Sequence, residues 1–146
     1  IHIRDAKLVA AAHGYDALMA SIRPTEKLPG KKAAIIGGGP TGIAAAYFLA
    51  RGGVQTTIFE REEKLGGVPR YVIPAFRISD EALDKDVALM ERLGVEVKCG
   101  APAPSVAELK KMGYTHILLA TGAWQAGDIK SSPAMDEAYR MGRSVA

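Results

Sequence analysis

A glycine-rich turn in the first third of the chain has the spacing of a phosphate-binding loop. The motif Gly37-x-Gly39-x-x-Gly42 follows an apolar run and precedes an alanine-rich stretch. In such a motif the first glycine allows a tight turn, the second lets a pyrophosphate approach the backbone, and the third lets a helix pack closely on a strand. Pro40 and Thr41 lie in this turn, before the helix predicted over 43–51, whose free N–H groups and positive dipole end attract phosphates. We therefore predict that these five residues contact a dinucleotide.

An acidic residue completes the pattern. Glu60 ends the next β-branched run, at roughly the ~20-residue interval that dinucleotide-binding units show. Its carboxylate can accept hydrogen bonds from both hydroxyls of a ribose, whereas a 2′-phosphate would be repelled there. NAD and FAD both satisfy this arrangement, and the motif alone does not separate them. A glycine turn without any ligand is the remaining interpretation.

The surrounding sequence predicts the elements that position these residues. Short apolar runs at 33–36, 54–59, 95–99 and 115–120 indicate strands, and helical patterns lie between them. Ser79 precedes an acidic first turn, and Ser105 with Glu108 has the spacing of a capping box. Alternating strands and helices predict an α/β fold, with a Rossmann-like parallel sheet flanked by helices. A long loop at 61–78 is expected to be functional.

The first part of the chain has a different character. Residues 1–32 are predicted to form an N-terminal helical arm and a linker that contains Pro24, Pro29 and Gly30. Gly14 leaves open whether the arm is one helix or two. Residues 33–146 are predicted to form the dinucleotide-binding domain.

Composition excludes several classes of function. The 146 residues are 48% hydrophobic and 24% charged, as in globular proteins, and the net charge of +3 gives little reason to expect a nucleic-acid partner. No apolar run approaches the ~20 residues of a membrane span. The single cysteine, Cys99, excludes an internal disulfide and a cysteine-only metal site, and it fits a reducing, cytoplasmic location without a signal peptide. We expect no metal site and no catalytic acid, base or nucleophile.

Further motifs resemble a known family. Glu60-Arg61-x-x-x-x-Gly66-Gly67 resembles the ADP-binding region of flavoproteins with two dinucleotide-binding domains, and Ala120-Thr121-Gly122 resembles the short "ATG" signature of that group. The sequence Ile73-Pro74-Ala75-Phe76-Arg77-Ile78 resembles the FAD domain of glutamate synthase small subunits and of dihydropyrimidine dehydrogenase. The longer run from 66 to 81 is most similar to selenate reductase-like subunits that use NADPH and iron–sulfur centres. The resemblance covers about residues 31–124.

The resemblance implies a cofactor and a set of contacts. FAD would lie along the glycine turn with Glu60 on the adenosine ribose. The residues that would line the cofactor are Arg61, Gly67, Val68 and Arg77, with Val97 near the adenine and Ala120, Thr121 and Gly122 at the "ATG" turn. The parent function would be an FAD-dependent NAD(P)H oxidoreductase that passes electrons to iron–sulfur centres or to a partner subunit.

The C-terminal part departs from the family pattern. In the family, an NAD(P)H-binding domain follows the "ATG" element, and a later Gly-Asp element returns to the flavin. Here Gly127-Asp128 comes soon after Gly122. We expect an FAD domain whose NAD(P)H domain is missing between about 124 and 127, with Asp128 on the ribityl chain. Alternatively, the chain is simply truncated and Gly127-Asp128 is a surface turn.

Two other functions remain open at this point. One is a small NAD-dependent dehydrogenase with NAD on the glycine turn, which would need a catalytic residue near the nicotinamide. The other is a nucleotide-free interaction domain of a larger protein. If the FAD interpretation holds, we expect the chain to bind FAD but to oxidise NAD(P)H poorly by itself.

Overall fold

A computed structural model describes residues 2–122, which form a parallel sheet with helices on both faces. The strands are β1 (Lys32–Ile36), β2 (Gln55–Phe59), β3 (Glu96–Lys98) and β4 (His116–Leu119), in the order β3-β2-β1-β4. The helices are α1 (Ile3–Ser21), α2 (Pro40–Arg51), α3 (Val68–Tyr71), α4 (Asp80–Glu91) and α5 (Val106–Lys111). This arrangement confirms the predicted α/β fold with a Rossmann-like parallel sheet.

The two central strands form the middle of the core. Strand β1 pairs with β2 on one side and with β4 on the other, so that Ile35 lies opposite both Ile58 and Leu118. Parallel strands covered on both faces are typically continuous apolar runs, and β1 follows this rule because Ala33 to Ile36 are all buried. The centre of the sheet is therefore a rigid base for the loops that follow its strands.

Helices bury the two faces of the sheet separately. On one face α2 and α4 pack on the sheet through a cluster that includes Ile35, Ile58 and Met90. On the other face α5 packs through Leu109, near Phe59. Helix α2 joins the carboxyl end of β1 to the start of β2, so its first turn lies at the edge of the sheet where ligands of open α/β folds bind.

The predicted helix starts are present. The hydroxyl of Ser79 accepts a hydrogen bond from the Ala82 N–H at the start of α4. Ser105 and Glu108 form a complete capping box at the start of α5. Hydrogen bonds from the side chain and the backbone of Ser105 lower the pKa of the Glu108 carboxyl. These caps fix the residues at which α4 and α5 begin, and therefore where the preceding loops end.

The N-terminal arm forms a single helix that continues through Gly14. None of its residues is buried, and the Tyr15 hydroxyl donates a hydrogen bond to the Lys85 carbonyl oxygen on α4. The predicted cofactor contact of Asp128 and the expected junction between about 124 and 127 lie outside the described residues. Within residues 2–122, no helix is both long enough and apolar enough to cross a membrane.

Candidate functional site

The glycine turn lies at the carboxyl end of β1 and is closed by the end of β4. Gly37 has φ +106°, and its N–H donates to the Phe59 carbonyl oxygen at 2.9 Å. A Cβ atom at Gly37 would lie 2.3 Å from the Ala120 carbonyl oxygen, and one at Gly42 would lie 2.0 Å from the Gly37 carbonyl oxygen. The first and third glycines of the motif are therefore required by close backbone packing.

The second glycine has open space above it. Gly39 is the N-cap residue of α2, and no side chain caps this end of the helix. A Cβ atom at Gly39 would have only the Gly67 Cα within 4 Å, at 3.9 Å. Pro40 follows at the first helical position, and the Thr41 and Gly42 N–H groups lie in the same turn. Uncapped N–H groups beside a glycine that leaves open space form the geometry that accepts a phosphate.

Glu60 lies directly behind the turn. Its side chain is buried, with the residue 8% exposed, and its Oε2 accepts a hydrogen bond from the Gly38 N–H at 2.6 Å. Its Oε1 accepts from the Glu62 N–H at 3.0 Å. A carboxylate has about four lone-pair sites, so two backbone donors leave acceptor capacity for two ribose hydroxyls. The carboxylate therefore holds the turn in place and remains able to accept further hydrogen bonds.

The loop after β2 folds back onto the glycine turn. The Gly66 N–H donates to the Gly38 carbonyl oxygen at 2.8 Å. Gly67 has φ +57°, and a Cβ atom there would lie 2.9 Å from the Gly39 Cα. Two glycine-containing segments thus meet at Gly39 and Gly67, and a side chain at Gly67 would separate them. The short helix α3 follows immediately, within the segment that the sequence indicated as a long loop.

Arg70, on α3, is a residue that the sequence analysis did not identify. Its side chain is 5% exposed, and its Nε donates to the Leu65 carbonyl oxygen at 2.5 Å. Its two terminal nitrogens reach Asp80 Oδ1 at 2.8 Å and Asp84 Oδ1 at 2.6 Å on α4. This arginine carries no local sequence signal, because its two carboxylate partners lie 10 and 14 positions away along the chain.

The other predicted cofactor contacts occupy different places. Arg61 is exposed and forms an ion pair with Glu62 at 3.4 Å, and Arg77 is exposed with its guanidinium 5.6 Å from the centre of the Phe76 ring. Val68 is 55% exposed at the start of α3. Val97 is partly buried and packs against the core cluster under α2 and α4.

The start of the "ATG" segment borders the glycine turn, whereas the end of β3 lies beside Glu60, whose N–H donates to the Lys98 carbonyl oxygen at 2.8 Å. The Ala120 N–H donates to the Ile36 carbonyl oxygen at 2.8 Å, which places Thr121 and Gly122 directly after the last pairing of β4. Cys99, after β3, is partly buried, and burial together with the carboxylates of Glu60 and Glu91 raises the pKa of its thiol. Gly122 has φ +83°, a conformation that suits a turn.

A groove of about 380 Å³ lies between α1, α2 and α4 and meets the glycine turn only through Pro40 and Gly66. Its lining is mainly hydrophobic, so it lacks the donors that a phosphate needs. Among residues 2–122, no group of three or more histidine, cysteine, aspartate or glutamate side chains is arranged to hold a metal ion.

Comparisons with known proteins agree with this geometry. Residues 35–80 match the family described as the NAD(P)-binding Rossmann-like domain. A protein of Escherichia coli strain K12 named "Putative oxidoreductase YgfK" is 37% identical over 132 residues, which is 89% of this chain and 13% of that protein. The glutamate synthase [NADPH] small chain of Mycobacterium tuberculosis is 34% identical over 84% of this chain and 26% of its own length.

A solved structure supports the fold. The 2-naphthoyl-CoA reductase complex superimposes with a TM-score of 0.56 and 24% identity, over 80% of this chain and 17% of that one. The described chain thus spans about an eighth to a quarter of the lengths of the curated relatives above. By these comparisons the chain is a homologue of YgfK and of the glutamate synthase small chain, and its residues 35–80 match the Rossmann-like family named above.

Proposed function

We propose that this chain binds FAD on its glycine turn and is the flavin-binding part of an NAD(P)H-dependent oxidoreductase. One observation carries the proposal. Gly39 faces open space between the uncapped start of α2 and Gly67, and the buried carboxylate of Glu60 lies behind the same turn. These are the groups that a pyrophosphate and a ribose of one dinucleotide need, at the carboxyl end of adjacent parallel strands.

The pyrophosphate would bind at the start of α2. The N–H groups of Thr41 and Gly42 point along the helix axis, and the positive end of the helix dipole adds a favourable interaction of roughly 0.3–1 kcal/mol with a negative charge. Gly39 lets the phosphate oxygens come close to the backbone, because no side chain separates them from it. Helix α2 is 12 residues long, so its dipole is well developed at this end.

The adenosine ribose would bind to Glu60. The two carboxylate oxygens are already oriented by Gly38 and Glu62, so accepting a pair of hydroxyls requires no rearrangement of the side chain. A dinucleotide with a 2′-phosphate would bring a second negative charge against a buried carboxylate, which is strongly unfavourable. The site therefore favours FAD or NAD over NADP, and NADPH would act at a separate place.

The preference for FAD over NAD comes from the residues after Glu60. The Gly66–Gly67 segment that covers the turn, and the "ATG" segment that closes it, both resemble those of two-domain flavoproteins. The same resemblance supports contacts of Arg61, Val68, Arg77, Val97 and Asp128 with the cofactor. FAD, when bound, would supply hydride and single-electron transfer, and the chain would position it and exclude competing orientations.

Electrons would leave the flavin for another protein unit. The relatives that support this step are larger than this chain, and one of them is named as the small chain of an NADPH-dependent enzyme. We propose an iron–sulfur domain or an electron-transfer subunit as the acceptor. Residues 33–146 would form the cofactor domain, with the arm of residues 1–32 leading toward the rest of the parent protein.

The first test is the visible absorption spectrum of the purified chain, followed by extraction and identification of any nucleotide. We expect a flavin spectrum and released FAD, or saturable binding of FAD to the apoprotein with a raised melting temperature. Tighter binding of NAD than of FAD would favour the dehydrogenase alternative. A colourless protein that ignores both nucleotides would refute the proposal and favour an interaction domain.

A further inference from the structure

The guanidinium of Arg70 links the loop after β2 to helix α4. It is buried at the junction between α3 and the start of α4, and it makes three hydrogen bonds in three directions. One bond reaches back to Leu65, the residue before Gly66, and two reach forward to Asp80 and Asp84. Only the planar fork of arginine can satisfy such a set of acceptors, because a lysine presents a single nitrogen.

The same side chain packs against Gly66. A Cβ atom at Gly66 would lie 2.8 Å from Arg70 Cβ and 2.9 Å from Arg70 Nε. Gly66 in turn bonds to Gly38, and the next residue, Gly67, contacts Gly39. Arg70 therefore packs against Gly66 and so helps to hold Gly66 and Gly67 against the glycine turn.

We propose that Arg70 is a positioning residue for the cofactor, acting through the Gly66–Gly67 backbone rather than by contact with the nucleotide. It holds this backbone in contact with Gly39, and this contact forms one edge of the open space at the start of α2 where the pyrophosphate would bind. The ion pairs with α4 anchor the segment to the rigid sheet and helix layer. This inference rests on the proposed function, because it concerns how tightly the glycine turn holds FAD.

The experiment compares FAD dissociation constants, by quenching of flavin fluorescence, in full-length variants. Arg70→Met removes the charged fork and keeps the apolar stem, and Arg70→Lys keeps the charge but not the geometry. Asp84→Asn weakens one anchor at a carboxylate that is 59% exposed, so that folding is preserved. The matched control is Arg51→Met, which changes an exposed arginine at the opposite end of α2.

We expect Arg70→Met to weaken FAD binding about 10-fold, because the Gly66–Gly67 backbone loses the side chain that holds it through three hydrogen bonds. Arg70→Lys and Asp84→Asn should weaken it about 3-fold, and the control should change it less than about 2-fold. Melting temperatures of the apoprotein and the FAD-loaded protein provide the second measurement. A merely structural arginine lowers both equally and leaves the dissociation constant unchanged, whereas a positioning arginine reduces the gain in melting temperature that FAD provides.

The outcomes separate this inference from the proposed function. Wild-type affinity in Arg70→Met would overturn the role of Arg70 while leaving FAD binding established by the wild-type titration. If Arg70→Met does not fold, unchanged affinity in both Arg70→Lys and Asp84→Asn overturns the inference in the same way. A wild-type chain that binds no FAD would refute both proposals together.

Discussion

Replacing Gly39 with alanine should separate protein stability from nucleotide binding. Gly39 has φ −76° and ψ −175°, which any residue adopts, and its added Cβ would meet only the Gly67 Cα at 3.9 Å. Alanine is a poorer N-cap than glycine by about 0.5–1 kcal/mol. It also reduces the entropy of the unfolded chain, which stabilises the protein by about 0.4–1 kcal/mol. The two effects nearly cancel, so the melting temperature should move by less than about 4 °C.

Nucleotide binding should respond very differently to the same methyl group. The new Cβ would occupy the space that the pyrophosphate needs above the turn. Inserting a methyl group into a close-packed contact costs about 1–3 kcal/mol. The dissociation constant for FAD should therefore rise by roughly 5- to 150-fold.

The assay is a fluorescence titration of apoprotein with FAD, paired with thermal unfolding followed by circular dichroism. Gly14→Ala is the matched control, because Gly14 lies within α1 with nothing within 4 Å of an added Cβ. The control should bind FAD as the wild type does. Unchanged FAD affinity in Gly39→Ala would show that the nucleotide does not lie over Gly39, and the reasoning about the site would be wrong.

Three further predictions concern stability, thiol reactivity and turnover. Gly37→Ala should lower the free energy of unfolding by about 2–6 kcal/mol, because the new Cβ adds backbone strain and contacts Ala120. The control Gly113→Ala, which lies in open space at positive φ, should lower it by only about 1–2 kcal/mol. Equal losses in chemical unfolding would contradict the packing argument. Burial and the Glu60 carboxylate raise the pKa of the Cys99 thiol. The rate of its alkylation should therefore reach half of its maximum at a higher pH in the folded chain than in urea. A lower pH of half-maximal rate in the folded chain would contradict this. With NADPH as the electron donor, the FAD-loaded chain should reduce a dye only slowly, although dithionite should reduce its flavin. The reason is that we assign the one Gly-x-Gly-x-x-Gly motif of the sequence to FAD. Rapid NADPH-dependent dye reduction would refute that assignment.

The glycine turn and Glu60 were predictable because their chemistry depends on residue type and local spacing. Three glycines between an apolar strand and an alanine-rich helix, with an acid after the next strand, are sufficient to indicate the βαβ unit. In the structure the Glu60 carboxylate lies beside this turn and accepts a hydrogen bond from the Gly38 N–H. Helix starts at Ser79 and Ser105 were predictable for the same reason, since a cap acts within one turn.

The position of Arg70 and of the Gly66–Gly67 segment over the glycine turn was not predictable in the same way. Asp84 accepts a hydrogen bond from the buried guanidinium of Arg70, although its own side chain is 59% exposed. That pairing depends on how α3 and α4 approach each other, which no local spacing encodes. Gly14 shows that a local signal can also mislead. Glycine disfavours a helix by about 1 kcal/mol, yet Gly14 lies inside a continuous helix.

The pairing of β1 with β4 has a consequence for the order of folding. Lys32 and Thr115, which are hydrogen-bonded beside these strands, are 83 positions apart, whereas β1 meets β2 after a single helix. Closing the longer loop costs about 1 kcal/mol more in chain entropy, and distant contacts slow folding. The unit from β1 to β2 can therefore form first, during synthesis, while Gly37 gains its contact with Ala120 only after the ribosome has released β4. Cofactor loading on the finished site would then follow, rather than guide, the early steps of folding.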